Sequence, residues 1–205
     1  SELFLDKNYH FNMRKAYEDL GLRIIQVRGD ELRNKTEIIS SILENFMNRT
    51  PFKIYGRKTE VHSVSQKVAE SFLKKNHLMG STKARHYGLY FKNELVSIIS
   101  YKVYKDKIKV ERFCSALNTN VVGGFSKLLS ATEKNVQRDD LPIHYWVDLR
   151  YGTGDYLGPL GFHIEKETLG WKWTDKSTTY NRLQCRANMD ERKLSQAEHA
   201  EELGW

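Results

Sequence analysis

The loop Asn118-Thr119-Asn120-Val121-Val122-Gly123-Gly124 stands directly before a stripe of apolar residues at helical spacing, Phe125, Leu128, Leu129 and Val136. Amides in the first turn of a helix lack intrahelical partners and point outward, so a loop of this kind can cradle an anion. The groups available to such a cradle belong to Val121, Val122, Gly123, Gly124, Phe125 and Ser126. The competing reading is an ordinary strand-to-helix connection, because glycine before a helix is common. Cys114, in the strand ahead of the loop, reads as a small core residue. The seven histidines show no metal-ligand spacing, so no metal site is expected.

The elements that would position this loop are read from periodicity. Lys107–Ala116 forms a strand before the loop, Phe125–Val136 a helix after it, and Ile143–Leu149 a second strand leading into a Gly/Pro-rich turn that closes at Leu160-Gly161-Phe162. Upstream, Lys53–Gly56 and Thr59–Val64 are extended. Ser65 caps a helix over Gln66–Asn76 whose inner stripe is Val68, Ala69, Phe72 and Leu73. His86–Phe91 and Leu95–Tyr104 make a hairpin. The first fifty residues read helix, strand, helix: Lys7–Leu20 ended by Gly21, Leu22–Val27, and Glu31–Met47. A single strand cannot form a sheet, so this fragment is expected to pair elsewhere, as in a dimer, or to be the remnant of a larger domain. His163–Leu169 and Trp171–Tyr180 read as two further strands, and residues 186–204 as an acidic, helix-prone tail. The domain organisation expected is 1–50, 51–182 and a polar tail over 183–205.

The chain has 205 residues, 40% of them hydrophobic and 29% charged, with three prolines, which is the composition of a globular soluble protein. No run approaches the ~18 apolar residues of a membrane span, and the N-terminus carries no signal-peptide pattern. Two cysteines do not make a disulfide framework, so a reducing, cytoplasmic compartment is expected. The net charge of +7 is unevenly spread. Residues 57–110 hold 12 Lys/Arg against 4 Asp/Glu, whereas residues 111–181 hold 8 against 9. A clustered surplus of this kind is the footprint of a polyanion partner; the alternative is a solvated basic surface. The candidates for nucleic-acid contact are Arg57, Lys58, Lys74, Lys75, Lys83, Arg85 and Lys102.

The order of elements from residue 53 onward resembles the GNAT acyltransferase fold, an α/β architecture with a mixed, mostly antiparallel sheet. The residues that carry the likeness are Val122-Gly123-Gly124-Phe125-Ser126-Lys127-Leu128-Leu129 and Asp155-Tyr156-Leu157-Gly158-Pro159-Leu160-Gly161-Phe162. The resemblance implies that the glycine loop binds the pyrophosphate of acetyl-CoA through backbone amides and that Tyr156 supplies an acid. In the family two glycines are separated by one residue; here Gly123 and Gly124 are adjacent and Phe125 fills the second slot.

A narrower resemblance covers most of the chain. Lys7-Asn8-Tyr9-His10, Leu22-Arg23-Ile24-Ile25-Gln26-Val27, Arg57-Lys58, Asn76-His77-Leu78-Met79-Gly80, Glu94-Leu95-Val96-Ser97 and Arg112-Phe113-Cys114 are similar to phage homing-endonuclease-like proteins, in which a Vsr-like PD-(D/E)XK nuclease precedes a GNAT-like domain. That implies a protein of the phage-infected bacterial cell, with His10 as the surviving nuclease residue and the metal-binding carboxylates upstream of this chain; the alternative is a surface histidine. More distantly the chain resembles the Mom-type phage DNA-modification proteins. In their elements fall Arg112, Ser126, Asp148 and Tyr156. Asp148 would be a base, Tyr156 an acid for a leaving group, and Arg112 an anion holder. The alternatives are that Asp148 and Arg150 pair with Arg112 or cap the next turn, and that Tyr156 packs against Trp146. The leading expectation is a DNA-binding protein without nuclease competence of its own; the runner-up is an acyl-CoA-dependent N-acyltransferase or DNA base modification enzyme.

Overall fold

A sheet of five strands in the order β2 (Glu60–Ser63), β3 (Arg85–Phe91), β4 (Glu94–Val103), β5 (Ile108–Ser115) and β7 (Ile143–Tyr145) dominates the structure, a computed structural model that describes residues 8–137, 140–169, 173–174, 179–180 and 198. The chain divides into two compact units, one of residues 27–162 and one of residues 1–26 with 163–205. The sequence reading places a boundary near residue 50; the units divide ahead of it.

The larger unit begins with α2 (Gly29–Asn34) and α3 (Thr36–Phe46). The single helix expected over Glu31–Met47 is broken at Lys35, whose φ of −140° is not helical. The break falls in Asn34-Lys35-Thr36, where Asn and Thr favour caps over helix interiors. Next come β1 (Phe52–Tyr55), a tight turn at Gly56–Lys58, β2 (Glu60–Ser63) and α4 (Gln66–Asn76), whose cap Ser65 accepts from the Val68 amide at 3.4 Å. Val68 is exposed; the buried face of α4 is Ala69, Leu73 and Asn76. The hairpin β3 (Arg85–Phe91) and β4 (Glu94–Val103) follows, then β5 (Ile108–Ser115), β6 (Thr119–Val122), α5 (Gly124–Val136) and β7 (Ile143–Tyr145). Pairing is antiparallel except for β5 with β7, and for a separate two-stranded ribbon of β1 with β6. The mixed, mostly antiparallel α/β class read from the sequence is borne out.

The α5 face of the sheet holds the main core: Leu89, Val96, Ile99, Val110 and Val121 against Phe125, Leu128, Leu129 and Leu157. On the other face Ala69 and Leu73 of α4 close over Val64 and Ile98. Gly88 is required where α4's side of the sheet is tightest, since a Cβ there would stand 2.7 Å from a Val64 methyl and 2.4 Å from one of Leu95.

In the smaller unit α1 (Tyr9–Asp19) ends at Gly21, whose φ of +72° suits glycine. Its buried Arg14 pairs with Glu18 at 2.5 Å and Glu167 at 3.3 Å. The strand expected at Leu22–Val27 does not form: these residues join no strand, and the Gln26 side chain instead donates to the His10 carbonyl at 2.8 Å. Hydrophobic β-branched residues favour a strand only where a partner lies within reach. Residues 163–169 likewise form no strand, while β8 (Trp173–Thr174) pairs with β9 (Thr179–Tyr180). The rest of the expected Trp171–Tyr180 strand and nearly all of the 186–204 tail lie outside the described residues. Among the described residues no helix is long and apolar enough to cross a membrane.

Candidate functional site

The parallel pair of β5 and β7 is short. It joins Ile108 to Ile143, Lys109 to His144 and Val110 to Tyr145, and then stops. The strand expected to run to Leu149 ends at Tyr145. On its other edge β5 stays paired with β4 as far as Ser115. A bulge sits at the point of parting: Ser100 faces Arg112 and Tyr101 faces Val110, which leaves Glu111 without a partner and bends β5. The β7-facing edge of residues 111–115 therefore carries no strand among the described residues, and a strand edge of that kind is where an extended ligand can pair.

The glycine loop lies beyond that edge. Gly123, at φ +73°, is the left-handed residue before α5. The helix ladder starts with the Lys127 amide donating to Gly123 O at 3.1 Å, so the amides of Gly124, Phe125 and Ser126 lack intrahelical partners. Phe125 occupies the slot that a glycine holds in the GNAT pattern, yet it does not block the loop. Its ring is buried between Phe113, Tyr145 and Tyr156, at centroid distances of 4.9, 5.4 and 5.6 Å. Only its amide belongs to the cradle. The Ser126 hydroxyl donates to Gly123 O at 3.0 Å and so stiffens the loop. Lys127 turns away, donating to the carbonyls of Gly56 (2.9 Å) and Thr59.

Four side chains gather where β5 and β7 part: Arg112, Cys114, Tyr145 and Tyr156. Arg112 donates to the carbonyls of Gly80 (3.3 Å) and Glu111 (2.6 Å), and among the described residues it makes no ion pair. Burial lowers its pKa. The neighbouring Glu111 charge offsets this in part, but no carboxylate bonds the guanidinium among the described residues, and such a group favours an anion beside it. Tyr145 and Tyr156 lie close enough that each shifts the other's ionisation. Burial pushes Tyr145 well above the usual phenol range, and the contact with Tyr156 pushes it further. Burial raises Tyr156 as well, partly offset by the bond from Tyr145. Both stay protonated across the physiological range, which suits an acid. Burial raises the Cys114 thiol, so it is inert as a nucleophile, in keeping with a core residue. Tyr145 did not emerge from sequence reasoning; its signal is its place on the strand, at the last paired residue before the split.

A lysine and a histidine meet at the turn His77–Gly80. Lys35 donates to Leu78 O, and the Met79 amide donates to His77 Nδ1 at 3.0 Å. Burial first, then Arg112 and Lys35, pull His77 down to a pKa of about 4 from 6.5. The sign follows: the unfolded chain takes up the proton first, so neutral His77 favours folding fully above 6.5 and progressively less as the pH falls toward 4. The loss is expected to reach about 2 kcal/mol near pH 5. Urea unfolding of the wild type and His77→Gln at neutral and acid pH checks this; equal pH slopes in the two proteins would overturn it.

Asp148 is placed as a cap, one of the alternatives read for it, and pairs with Arg150 rather than with Arg112. Its carboxylate accepts from the Arg150 amide at 3.1 Å and from the Arg150 guanidinium at 3.0 and 2.6 Å, capping the turn after β7. Arg150 also grips buried Glu31 of α2 at 2.7 and 3.0 Å, and the Tyr151 hydroxyl donates to Glu31 at 2.6 Å. Asp148 is thus tied to a structural ion-pair network. Glu31, Arg150 and Tyr151 lie 119 and 120 residues apart in the chain, and no local pattern announces them.

The seven basic residues do not form one patch. Arg57 and Lys58 lie at the Tyr90–Phe91 end of the sheet, because Glu60 faces Tyr90. Arg85 and Lys102 lie at the other end, about 20 Å away along β3. Lys74 and Lys75 end α4, with Lys74 held by Glu70 at 2.8 Å, and Lys102 stands 4.0 Å from Glu111. Lys83 is held near the start of α4, where Gln66 bonds Thr82 O and the Ala84 amide. His10 belongs to the smaller unit and is exposed, its ring edge-on to Tyr9 at 5.2 Å. Among the described residues no three of His, Cys, Asp and Glu gather as a metal site.

No protein-family model matches this chain, and no curated protein matches it. A solved structure described as "a possible acetyltransferase from Clostridium difficile 630" aligns over 56% of this chain and 97% of its own, with 9% sequence identity and a TM-score of 0.40.

Proposed function

We infer that the chain is an acyl-group transferase that takes its acyl group from a coenzyme A thioester and passes it to an amine. The observation that carries this reading is the parting of β5 from β7 at the Glu111 bulge, which opens a strand edge beside Arg112, Tyr145 and Tyr156. The coenzyme would supply an activated acyl carbon and a thiolate leaving group. The chain's residues fit it at both ends. The open edge of β5 can hydrogen-bond an extended amide-bearing arm, and the amides of Gly124, Phe125 and Ser126 can take a pyrophosphate, since the Phe125 ring is turned into the core. Arg112 favours negative charge at the opening, and Tyr156 holds a proton there for a departing thiolate.

Calorimetric titration of acetyl-CoA at moderate salt tests the reading, with micromolar binding expected. Gly124 is a poor site for the control variant, because a Cβ there would press on Val121 at 3.0 Å and disturb the core. Ser126→Glu is better: a carboxylate in the first turn suits the helix dipole but repels a phosphate, so the fold should persist while affinity falls at least about tenfold. Tyr156→Phe should leave binding intact and lower turnover about 100-fold. Absence of both heat and thermal stabilisation in the wild type would overturn the reading.

A second reading, DNA as partner or acceptor, is favoured by Gln66, which ties the backbone on either side of exposed Lys83, just ahead of exposed Arg85, to the start of α4, where Lys67 is exposed. It predicts duplex binding that falls steeply with salt and is lost in a Lys67, Lys83, Arg85 triple alanine variant. Unchanged affinity in that variant would remove it.

A further inference from the structure

The β1–β6 ribbon has a built outer face that the open strand edge does not use. Side chains at paired positions of a ribbon share a face, and the register joins Lys53 to Asn120 and Tyr55 to Val122. The inner face carries Ile54 and buried Val121 against the core. The outer face therefore presents Tyr55 and Val122 side by side, and both are exposed. The Tyr55 ring is flanked by two cations, with Lys53 Nζ at 5.8 Å and the Arg57 guanidinium at 5.3 Å from its centroid. Lys58 follows on the same turn. Among the described residues none of Lys53, Arg57 and Lys58 is paired with a carboxylate.

The place of this face matters as much as its chemistry. Val122 immediately precedes Gly123 and the first turn of α5. Gly56, next to Tyr55, packs so closely on the loop that a Cβ would stand 3.0 Å from Val122 O and 3.3 Å from the Gly123 carbonyl carbon. Lys127 fastens the same turn from the helix side through Gly56 O. The aromatic platform and the amides of Gly124–Ser126 are thus held in one rigid corner.

We propose that the Tyr55–Val122 face, with Lys53, Arg57 and Lys58, is a nucleotide platform that seats the adenosine end of the coenzyme. A flat base stacks on the ring and the Val122 side chain, and the unpaired cations meet phosphate charge. The proposal rests on the coenzyme A reading, and it adds a selectivity: a thioester with a nucleotide meets the strand edge, the amides and the platform, one without it the strand edge alone.

The test is calorimetry with three probes, acetyl-CoA, S-acetylpantetheine and ADP, on the wild type, Tyr55→Ala and an Arg57→Ala/Lys58→Ala double variant. These side chains are exposed, so unchanged thermal midpoints are expected. Tyr55→Ala should weaken ADP and acetyl-CoA about tenfold or more and leave S-acetylpantetheine unchanged, and the double variant should do the same with a loss that shrinks as salt rises. Tyr55→Phe, which keeps the ring, should bind as the wild type does. ADP affinity equal in all four proteins would overturn the platform while leaving acetyl-CoA binding intact. Tyr55-dependent ADP binding without any acetyl-CoA or S-acetylpantetheine binding would uphold a nucleotide site and overturn the coenzyme reading.

Discussion

Arg150→Met is expected to destabilise the protein by roughly 3–5 kcal/mol. Glu31 is 7% exposed, and its carboxylate is held by two bonds from Arg150 and one from Tyr151. Burial alone raises the carboxyl pKa; the bonds from Arg150 and Tyr151 outweigh that and hold it at about 2. Methionine keeps the packing volume but leaves a buried carboxylate with too few donors. The pH dependence gives a signature. In the wild type the folded pKa lies below the ordinary 4.5, so the contribution of Glu31 is complete above 4.5 and is lost toward 2, about 3 kcal/mol in all. In the variant the folded pKa rises above 4.5, so its penalty is present at neutral pH and relieved on acidification. The gap between the two proteins should therefore narrow as the pH falls. Arg150→Met combined with Glu31→Gln should recover much of the loss, since a neutral amide costs less to bury than an unpaired carboxylate. A loss below about 1 kcal/mol in the single variant would mean that water reaches the pair, as in surface ion pairs.

Phe125→Ala is expected to cost about 3–5 kcal/mol, measured as the shift in urea unfolding. The ring is 6% exposed and touches the rings of Phe113, Tyr145 and Tyr156, with Phe162 at 6.4 Å, so its removal leaves a cavity at the meeting point of α5, β5 and β7. Phe125→Leu keeps much of the volume and should cost less. The two changes should also separate packing from binding. The cradle uses only the amide of residue 125, so the leucine variant should keep its affinity for acetyl-CoA. A large drop in affinity with leucine would mean that the ring itself shapes the anion site.

These two residues show how differently sequence and tertiary structure carry information. Phe125 was visible as the head of an apolar stripe, and equally as a misfit in a glycine pattern. The first reading holds in the structure: helical spacing places positions 125, 128 and 129 on one side, and that side faces the sheet. Glu31 and Arg150 were invisible as a pair, because charge complementarity across more than a hundred residues leaves no local trace.

The sequence by itself determined what depends on neighbours along the chain. Alternation and helical periodicity place β3, β4, β5, α4 and α5 within a residue or two, since burial of one face repeats with the element's own period. Glycines with positive φ mark the turns at Gly21, Gly123 and Gly161. Tertiary structure alone decided where periodicity is silent. Leu22–Val27 has strand composition but no partner, so no ladder forms. The split of β5 from β7 coincides with a register shift at Glu111 that no composition encodes. The basic surplus of residues 57–110 is divided between both ends of a strand about 20 Å long, because an antiparallel sheet sends consecutive segments to opposite ends. Charge is counted along a sequence, but a ligand meets it in space.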